Sequence, residues 1–395
     1  MKQTALFLFL LVCIHSFMYS QPLQRDYKAL HFSALVADGH NDVLLRVMSG
    51  RDISNRTVEG HSDLVRLKEG GVDVQVFSVW MGPEYGFGTA FKRANQMIDS
   101  LESIVHRNSE KISIARTASE ATELVKQGKI AAVIGVEGGH PIEDSLAYLD
   151  QLYKRGMRYM TLTWNNSTSW ATSGSDEAKH SETLTHKGLN EFGKQIVRRM
   201  NELGVMVDLS HVGEQTFYDA IATSTKPVIV SHSSVYALAP HFRNLKDDEI
   251  RTLAKNGGVM CINFYSGFID STYERRVSEI RHSHRALSDS VRRVHKNEDH
   301  ANDVIDSILV KEVDAVRPPL SVLIDHIDYV AKLVGVDFVG IGSDFDGISA
   351  PPMEMEDVTC LPNITRELVK RGYSDDDIRK ILGGNFMRVF AANSR

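Results

Sequence analysis

Ile130-Ala-Ala-Val-Ile-Gly-Val136, followed at once by Glu137-Gly138-Gly139-His140, is the stretch that decides the fold. Its apolar run lacks the alternation of a half-exposed strand, so both faces are expected to be buried, as in a parallel sheet. Working outward, seven more runs of this character recur: Ala34 to Ala37, Val72 to Trp80, Tyr159 to Trp164, Val205 to Leu209, Val228 to Ser231, Val259 to Phe264 and Phe338 to Ile341. Helix-length amphipathic segments lie between them, among them Ala90 to Val105, Ile142 to Arg155, Asn190 to Leu203 and Leu320 to Leu333. Eight strand–helix units point to an α/β fold closed into a (β/α)8 TIM-type barrel rather than an open doubly wound sheet. One connection breaks the rhythm. A charged segment, about 270–319, reads as a helical insertion between the seventh and eighth strands. Within it, His282 and His284 are two residues apart and would leave different sides of a helix, which favours a solvated face over a second metal site.

The whole chain bounds the function classes. It has 395 residues, 42% of them hydrophobic, and a formal net charge of −6, which supports a large core and gives no basic surface for nucleic acid. Met1-Lys2, the apolar run Leu6 to Ile14 and the small residues from Ser16 to Ser20 read as a signal peptide over residues 1–20. The apolar run is too short for a comfortable span, and Leu11-Val12-Cys13 lacks the small residue expected before a lipidated cysteine. A secreted or periplasmic location is therefore expected, with a lipid anchor the weaker alternative. Residues 21–395 read as one barrel domain, with no linker to a second. Beyond the leader only Cys261 and Cys360 remain, too few for a disulfide framework.

In such a barrel, chemistry gathers at the C-terminal ends of the strands. The first run leads into Asp38-Gly39-His40-Asn41-Asp42, where His40 and Asp42 would point the same way on an extended chain. Glu137 is a carboxylate behind an apolar strand, costly unless paired, and it could bridge two cations. His140 is either a further ligand or loop support. The fifth run ends in Asp208-Leu209-Ser210-His211 and the sixth in Val230-Ser231-His232-Ser233-Ser234. Imidazoles on consecutive parallel strands suit zinc, while Asp208, three residues earlier, reads as a supporting group. The eighth ends in Gly340-Ile341-Gly342-Ser343-Asp344-Phe345-Asp346-Gly347, where Asp344 is a candidate ligand or proton carrier and Asp346 lies further out. Arg243, eleven residues beyond His232, is either a surface residue or a grip for a substrate carboxylate. His40, Asp42, Glu137, His211 and His232 together make a set fit for two divalent ions sharing Glu137. Two such ions about 4 Å apart can hold a bridging hydroxide that is nucleophilic near neutral pH.

The motifs at Asp38–Asp42, Gly135–His140, Asp208–His211, Ser231–Ser234 and Gly340–Gly347 resemble those of the membrane (renal) dipeptidases, zinc peptidases of the amidohydrolase-like barrel class. The resemblance extends over nearly all of the chain after the leader. It implies hydrolysis of a small-molecule dipeptide with two zinc ions, one on His40 and Asp42, the other on His211 and His232, bridged by Glu137. It further implies that Asp344 moves a proton to the leaving amine and that Arg243 binds the substrate's terminal carboxylate. One departure stands out. Where the family has a histidine in a TLTH-like motif, this chain has Thr161-Leu162-Thr163-Trp164. Trp164 cannot accept a proton or carry charge, although it can donate one hydrogen bond, fill the pocket or stack on substrate. Asn165 and Asn166 are candidate replacement donors.

Two alternatives remain open on the sequence. One is another binuclear hydrolase of the same class, acting on a lactone, β-lactam or other amide. Many of these bridge their metals through a lysine at the end of the fourth strand, where this chain has Thr163 and Trp164. The other is a non-catalytic binding protein derived from such an enzyme. No transmembrane span is expected, and a homodimer is left open.

Overall fold

The computed structural model describes residues 26–394. The expected signal peptide lies outside the described residues. Nine strands follow in chain order: β1 (Val36–Asp38), β2 (Val72–Trp80), β3 (Ile112–Ile114), β4 (Ile130–Glu137), β5 (Met157–Thr161), β6 (Met206–Asp208), β7 (Ile229–Ser233), β8 (Val259–Ile262) and β9 (Val339–Ile341). All pairings are parallel. They run β1–β2, β2–β4, β4–β5 and onward to β9, which returns to β1 through Asp38 and Ile341. Eight strands therefore close a barrel, as the eight apolar runs require.

β3 is the element that the sequence does not announce. Its three residues pair with the first residues of β4, Ile112 opposite Ile130, and take no place in the ring because β2 pairs directly with β4. The fourth apolar run also extends past its strand. β5 ends at Thr161, so Thr163 and Trp164 lie in the turn above it.

Alternation along the buried strands sorts side chains into two packing layers. On β4, Ala131 and Val133 join Val74, Val76, Tyr159, Met206, Ile229 and Cys261 inside the barrel. Ala132, Ile134 and Val136 pack outward in the larger core shared with the helices. The helix Ala90–Arg107 supplies Ala90, Ala94, Met97, Ile98, Leu101 and Ile104 to that core, the spacing of one helical face. The helix Glu191–Leu203 starts on Asn190, whose side chain accepts from the Phe192 and Gly193 amides, and stops at left-handed Gly204. Phe386, Val389 and Phe390 of the last helix, Asn385–Asn393, join the inner layer.

Between β8 and β9 four helices fill the expected insertion: Tyr273–Ser283, Arg285–Val294, Glu298–Ile308 and Val310–Ala315. They enclose a small core of Tyr273, Val277, Ile305, Leu309 and Val313 that also takes in Ala350, from the loop after β9. Cys261 and Cys360 are unpaired. Among the described residues no helix is long and apolar enough to cross a membrane.

Candidate active site

The C-terminal strand ends bring His40, Asp42, Glu137, His211, His232 and Asp344 into one buried cluster. Glu137 sits at its centre. His40 Nε2 is 3.2 Å from Glu137 Oε2, and His211 Nε2 and His232 Nε2 are 2.9 and 3.5 Å from Oε1. His40 Nε2 is also 3.3 Å from Asp42 Oδ2 and 3.9 Å from Asp344 Oδ1. Glu137 shares the inward parity of Ala131 and Val133, so the strand itself aims the carboxylate into the mouth. His211 and Asp344 hold left-handed backbone, with φ of 66° and 59°, an uncommon conformation for side chains of this size and one found often at working sites.

Each imidazole is fixed by an oxygen behind it. His40 Nδ1 is 2.6 Å from the Tyr159 hydroxyl, His211 Nδ1 is 2.9 Å from Asn165 Oδ1, and His232 Nδ1 is 2.8 Å from Ser231 Oγ. Ser231 in turn donates to Asp208 Oδ2 at 2.7 Å, and Asp208 also accepts from Thr161 Oγ1 and the Ser231 amide. The three Nε2 atoms face inward, and donation of Nδ1–H to these oxygens would present them as lone pairs to a metal, the arrangement of metal-binding histidines. Tyr159 reaches His40 because its neighbour is Gly135. A Cβ on Gly135 would lie 2.3 Å from the tyrosine ring.

The chemistry of the cluster fits divalent cations. His211 Nε2 and His232 Nε2 lie 3.0 Å apart, lone pair towards lone pair. His40 Nε2 and Asp42 Oδ1 are buried with no hydrogen-bond partner, a costly state that a bound cation removes. No lysine or arginine pairs with Asp42, Glu137 or Asp344 among the described residues. Burial and the Arg243 charge push His211 down to about 3, and burial with His40 pushes His232 well below its ordinary value, so both are neutral ligands near pH 7. Burial opposes ionisation of Glu137, but the His40 charge outweighs it and holds the carboxyl well below the usual range. His40, Glu137 and His232 form one group with ligand spacing, and His40, Asp42 and Asp344 a second.

Asp344 differs from the other carboxylates. Burial first, then the nearby Asp42 and Glu137 charges, raise it well above the carboxylate range against the pull of His40. Asn263 donates its amide to Asp344 Oδ2 at 2.8 Å, which leaves Oδ1 on the cluster side. Asp346, two residues on, is directed away. It accepts from the His61 amide at 2.8 Å and lies 3.7 Å from Arg46.

Arg243 is buried, not superficial. It donates from Nη1 to Ser233 Oγ and from Nη2 to the His232 carbonyl, while Nε has no partner. Burial lowers it to about 10, so it stays charged at neutral pH. It lines a cavity of about 560 Å³ together with His211 and Ser233. Trp164 lies beside His211, with ring centroids 6.1 Å apart, and against Trp80 at 5.0 Å.

Other residues singled out in the sequence lie outside the cluster. His140 Nε2 is 3.0 Å from Asn166 Nδ2, and His284 pairs with Glu312 on the insertion. Asn165 and Asn166 are thus both engaged with imidazoles. Tyr159, Asn263 and Trp80 were not anticipated. Asn263 had a visible signal, as a polar residue inside the apolar run Val259 to Phe264.

A model of the membrane dipeptidase family (peptidase family M19) matches residues 24–394, essentially the whole described chain. The chain belongs to the membrane dipeptidase family. It is a metallo-dipeptidase by that membership, and its barrel agrees with solved structures. The probable dipeptidase PvdM from Pseudomonas aeruginosa is 25% identical, with a TM-score of 0.77 over 95% of this chain and 99% of that one. A metallopeptidase from Rhodobacter sphaeroides, solved with a phosphinate mimic of the dipeptide L-Ala-D-Ala, is 24% identical and shares the fold at a TM-score of 0.75, over 91% of this chain and 99% of that one. The family's chemistry and the cluster agree that dipeptide hydrolysis here is metal-dependent.

Proposed function

We propose that the chain hydrolyses dipeptides with a free C-terminal carboxylate, using two zinc ions at the barrel mouth. The observation that carries this reading is the convergence of three oriented Nε2 atoms on Glu137, beside a buried guanidinium that has no carboxylate partner. His40 and Asp42 would hold one ion and His211 and His232 the other, with Glu137 giving one oxygen to each. When bound, the ions supply Lewis-acid polarisation of the scissile carbonyl and activation of water.

The chain's own groups do the rest. Arg243 grips the terminal carboxylate, which restricts substrates to those ending one residue past the scissile bond and holds the reacting carbonyl in place. Hydrolysis requires a proton to pass from water to the leaving amine. Asp344 takes it on Oδ1 and passes it to the leaving amine nitrogen. Asn263 holds Oδ2 so that Oδ1 keeps this position. Trp164 contacts substrate as an apolar surface and carries no proton. Residues 21–395 act as one hydrolase domain, secreted or periplasmic after removal of residues 1–20.

Chelation should abolish dipeptide hydrolysis, zinc should restore it, and the active protein should hold two zinc ions per chain by elemental analysis. Full activity in a metal-free sample would sink the reading. N-terminal sequencing of the exported protein checks the leader.

A further inference from the structure

The barrel's circular order sets where a bound dipeptide extends. Arg243 is tied to β7, through Ser233 Oγ and the His232 carbonyl. Around the ring, β2 lies four strands from β7 in either direction, so its end faces Arg243 across the mouth. The metal-ligating cluster occupies the space between. A substrate held by its carboxylate at Arg243, with its scissile carbonyl at the cluster, must direct its N-terminal residue towards the β2 side.

Trp80 stands on that side, and Trp164, which rises from a strand two places from β7 in the ring, reaches it. Trp80 is the last residue of β2, and Trp164 follows β5. Their ring centroids are 5.0 Å apart with the planes tilted by 60°, and both residues are partly exposed. They meet above the end of β4, where Gly138 has a φ of 89° and its Cβ position would lie 3.5 Å from Trp164 Cβ. Trp164 continues the wall to His211. A half-buried indole pair offers area and a π-face, and it contributes no charge.

We infer that Trp80 and Trp164 form the subsite for the side chain of the substrate's N-terminal residue, and that they select large apolar and aromatic side chains. This rests on the dipeptidase reading above. Discrimination belongs to the N-terminal position, because the C-terminal residue lies on the Arg243 side. Tryptophan at position 164 adds apolar area and no charge, so the gain falls on substrates that can cover that area.

The test is steady-state kinetics of the zinc-loaded full chain on two series, X-Ala and Ala-X, with X as Gly, Ala, Leu or Phe. The wild type should favour Phe-Ala over Gly-Ala by about tenfold or more in kcat/KM, the scale on which an apolar pocket discriminates. Trp164→His and Trp80→Leu should each compress that ratio to within about threefold, while the Ala-X ratios stay put. Trp164→His keeps a smaller aromatic ring at a position above the barrel, so it guards against loss of fold in the other variant. A wild-type preference for Gly-Ala would mean that the indoles block the subsite, and it would overturn the inference. So would a Phe-Ala preference that survives both substitutions. Calorimetric binding of two phosphinate dipeptide mimics, one with a benzyl group and one with hydrogen at the N-terminal position, separates this idea from its foundation. If no dipeptide is cleaved, the dipeptidase reading fails; tighter binding of the benzyl compound, by about tenfold, still supports the subsite, and equal binding overturns it.

Discussion

Asn263, at the end of β8, donates its side-chain amide to Oδ2 of Asp344, beyond the end of β9, at 2.8 Å. The side-chain oxygen Oδ1 of Asn263 accepts from the Tyr265 backbone amide at 2.6 Å, so the donor is itself held. One oxygen of Asp344 is thereby occupied from outside the cluster and the other is left to face it. Asn263→Ala should lower kcat by roughly 10–100-fold, the usual cost of losing such a supporting partner, with KM little changed. Two metals should remain by elemental analysis. A variant with normal kcat would mean that Asp344 needs no such support.

Tyr159 and His40 make the corresponding test of metal affinity. Tyr159→Phe keeps the ring that fills the barrel against Gly135 and removes only the oxygen 2.6 Å from His40 Nδ1. Zinc affinity, measured by competition with a chromophoric chelator, should fall roughly tenfold or more, while the melting temperature of the zinc-saturated protein changes little. Unaltered affinity would remove Tyr159 from the site.

Arg243 should be specific in what it recognises. Arg243→Lys retains charge but loses the planar fork that matches a carboxylate. KM for free dipeptides should rise about 100-fold, the loss of a charge-assisted hydrogen-bonded pair, and the effect on C-amidated analogues should be small. An equal loss on both substrates would show that the residue supports the loop instead of binding the carboxylate.

His326 links stability to pH at a distance from the chemistry. Its Nδ1 accepts from the Val235 amide at 3.0 Å and its Nε2–H donates to the Ile269 carbonyl at 2.9 Å, which needs the neutral ring. Burial pushes it down to about 4. The unfolded ring titrates near its ordinary value of about 6.5, so between these values the unfolded chain binds more protons. This contribution is fully present above about pH 6.5 and is lost as pH falls towards 4, a change of roughly 3 kcal/mol. The gap in urea unfolding free energy between wild type and His326→Gln should narrow by that amount from pH 7 to pH 4. A constant gap would assign the acid response to other groups.

Legibility differed by type of contact. His40, Asp42, Glu137, His211, His232 and Asp344 could be named because they follow apolar runs, and a closed parallel barrel gathers the ends of its strands. Arg243 could not be placed from its own surroundings, since an arginine in a loop is more often exposed; the match to family motifs drew attention to it. β3 escaped because three residues carry too little pattern to separate a strand from a loop. Trp164 reads as part of a strand because Tyr159 to Trp164 is rich in β-formers, yet β5 stops at Thr161 and the indole lies above the barrel.

The sequence by itself determined the order of the strands, the end of the barrel at which polar residues collect, and the kinds of ligand atom on offer. Those follow from local apolar runs and from the residues that terminate them. Only the tertiary structure decided which oxygen backs each imidazole, which face of Asp344 is free, and which residues stand across the mouth from Arg243. Tyr159 and His40 are 119 positions apart in the chain, and Asn263 and Asp344 are 81 apart. Contacts at such separations depend on ring closure, on the register of neighbouring strands and on side-chain rotamers. None of these leaves a trace in local spacing.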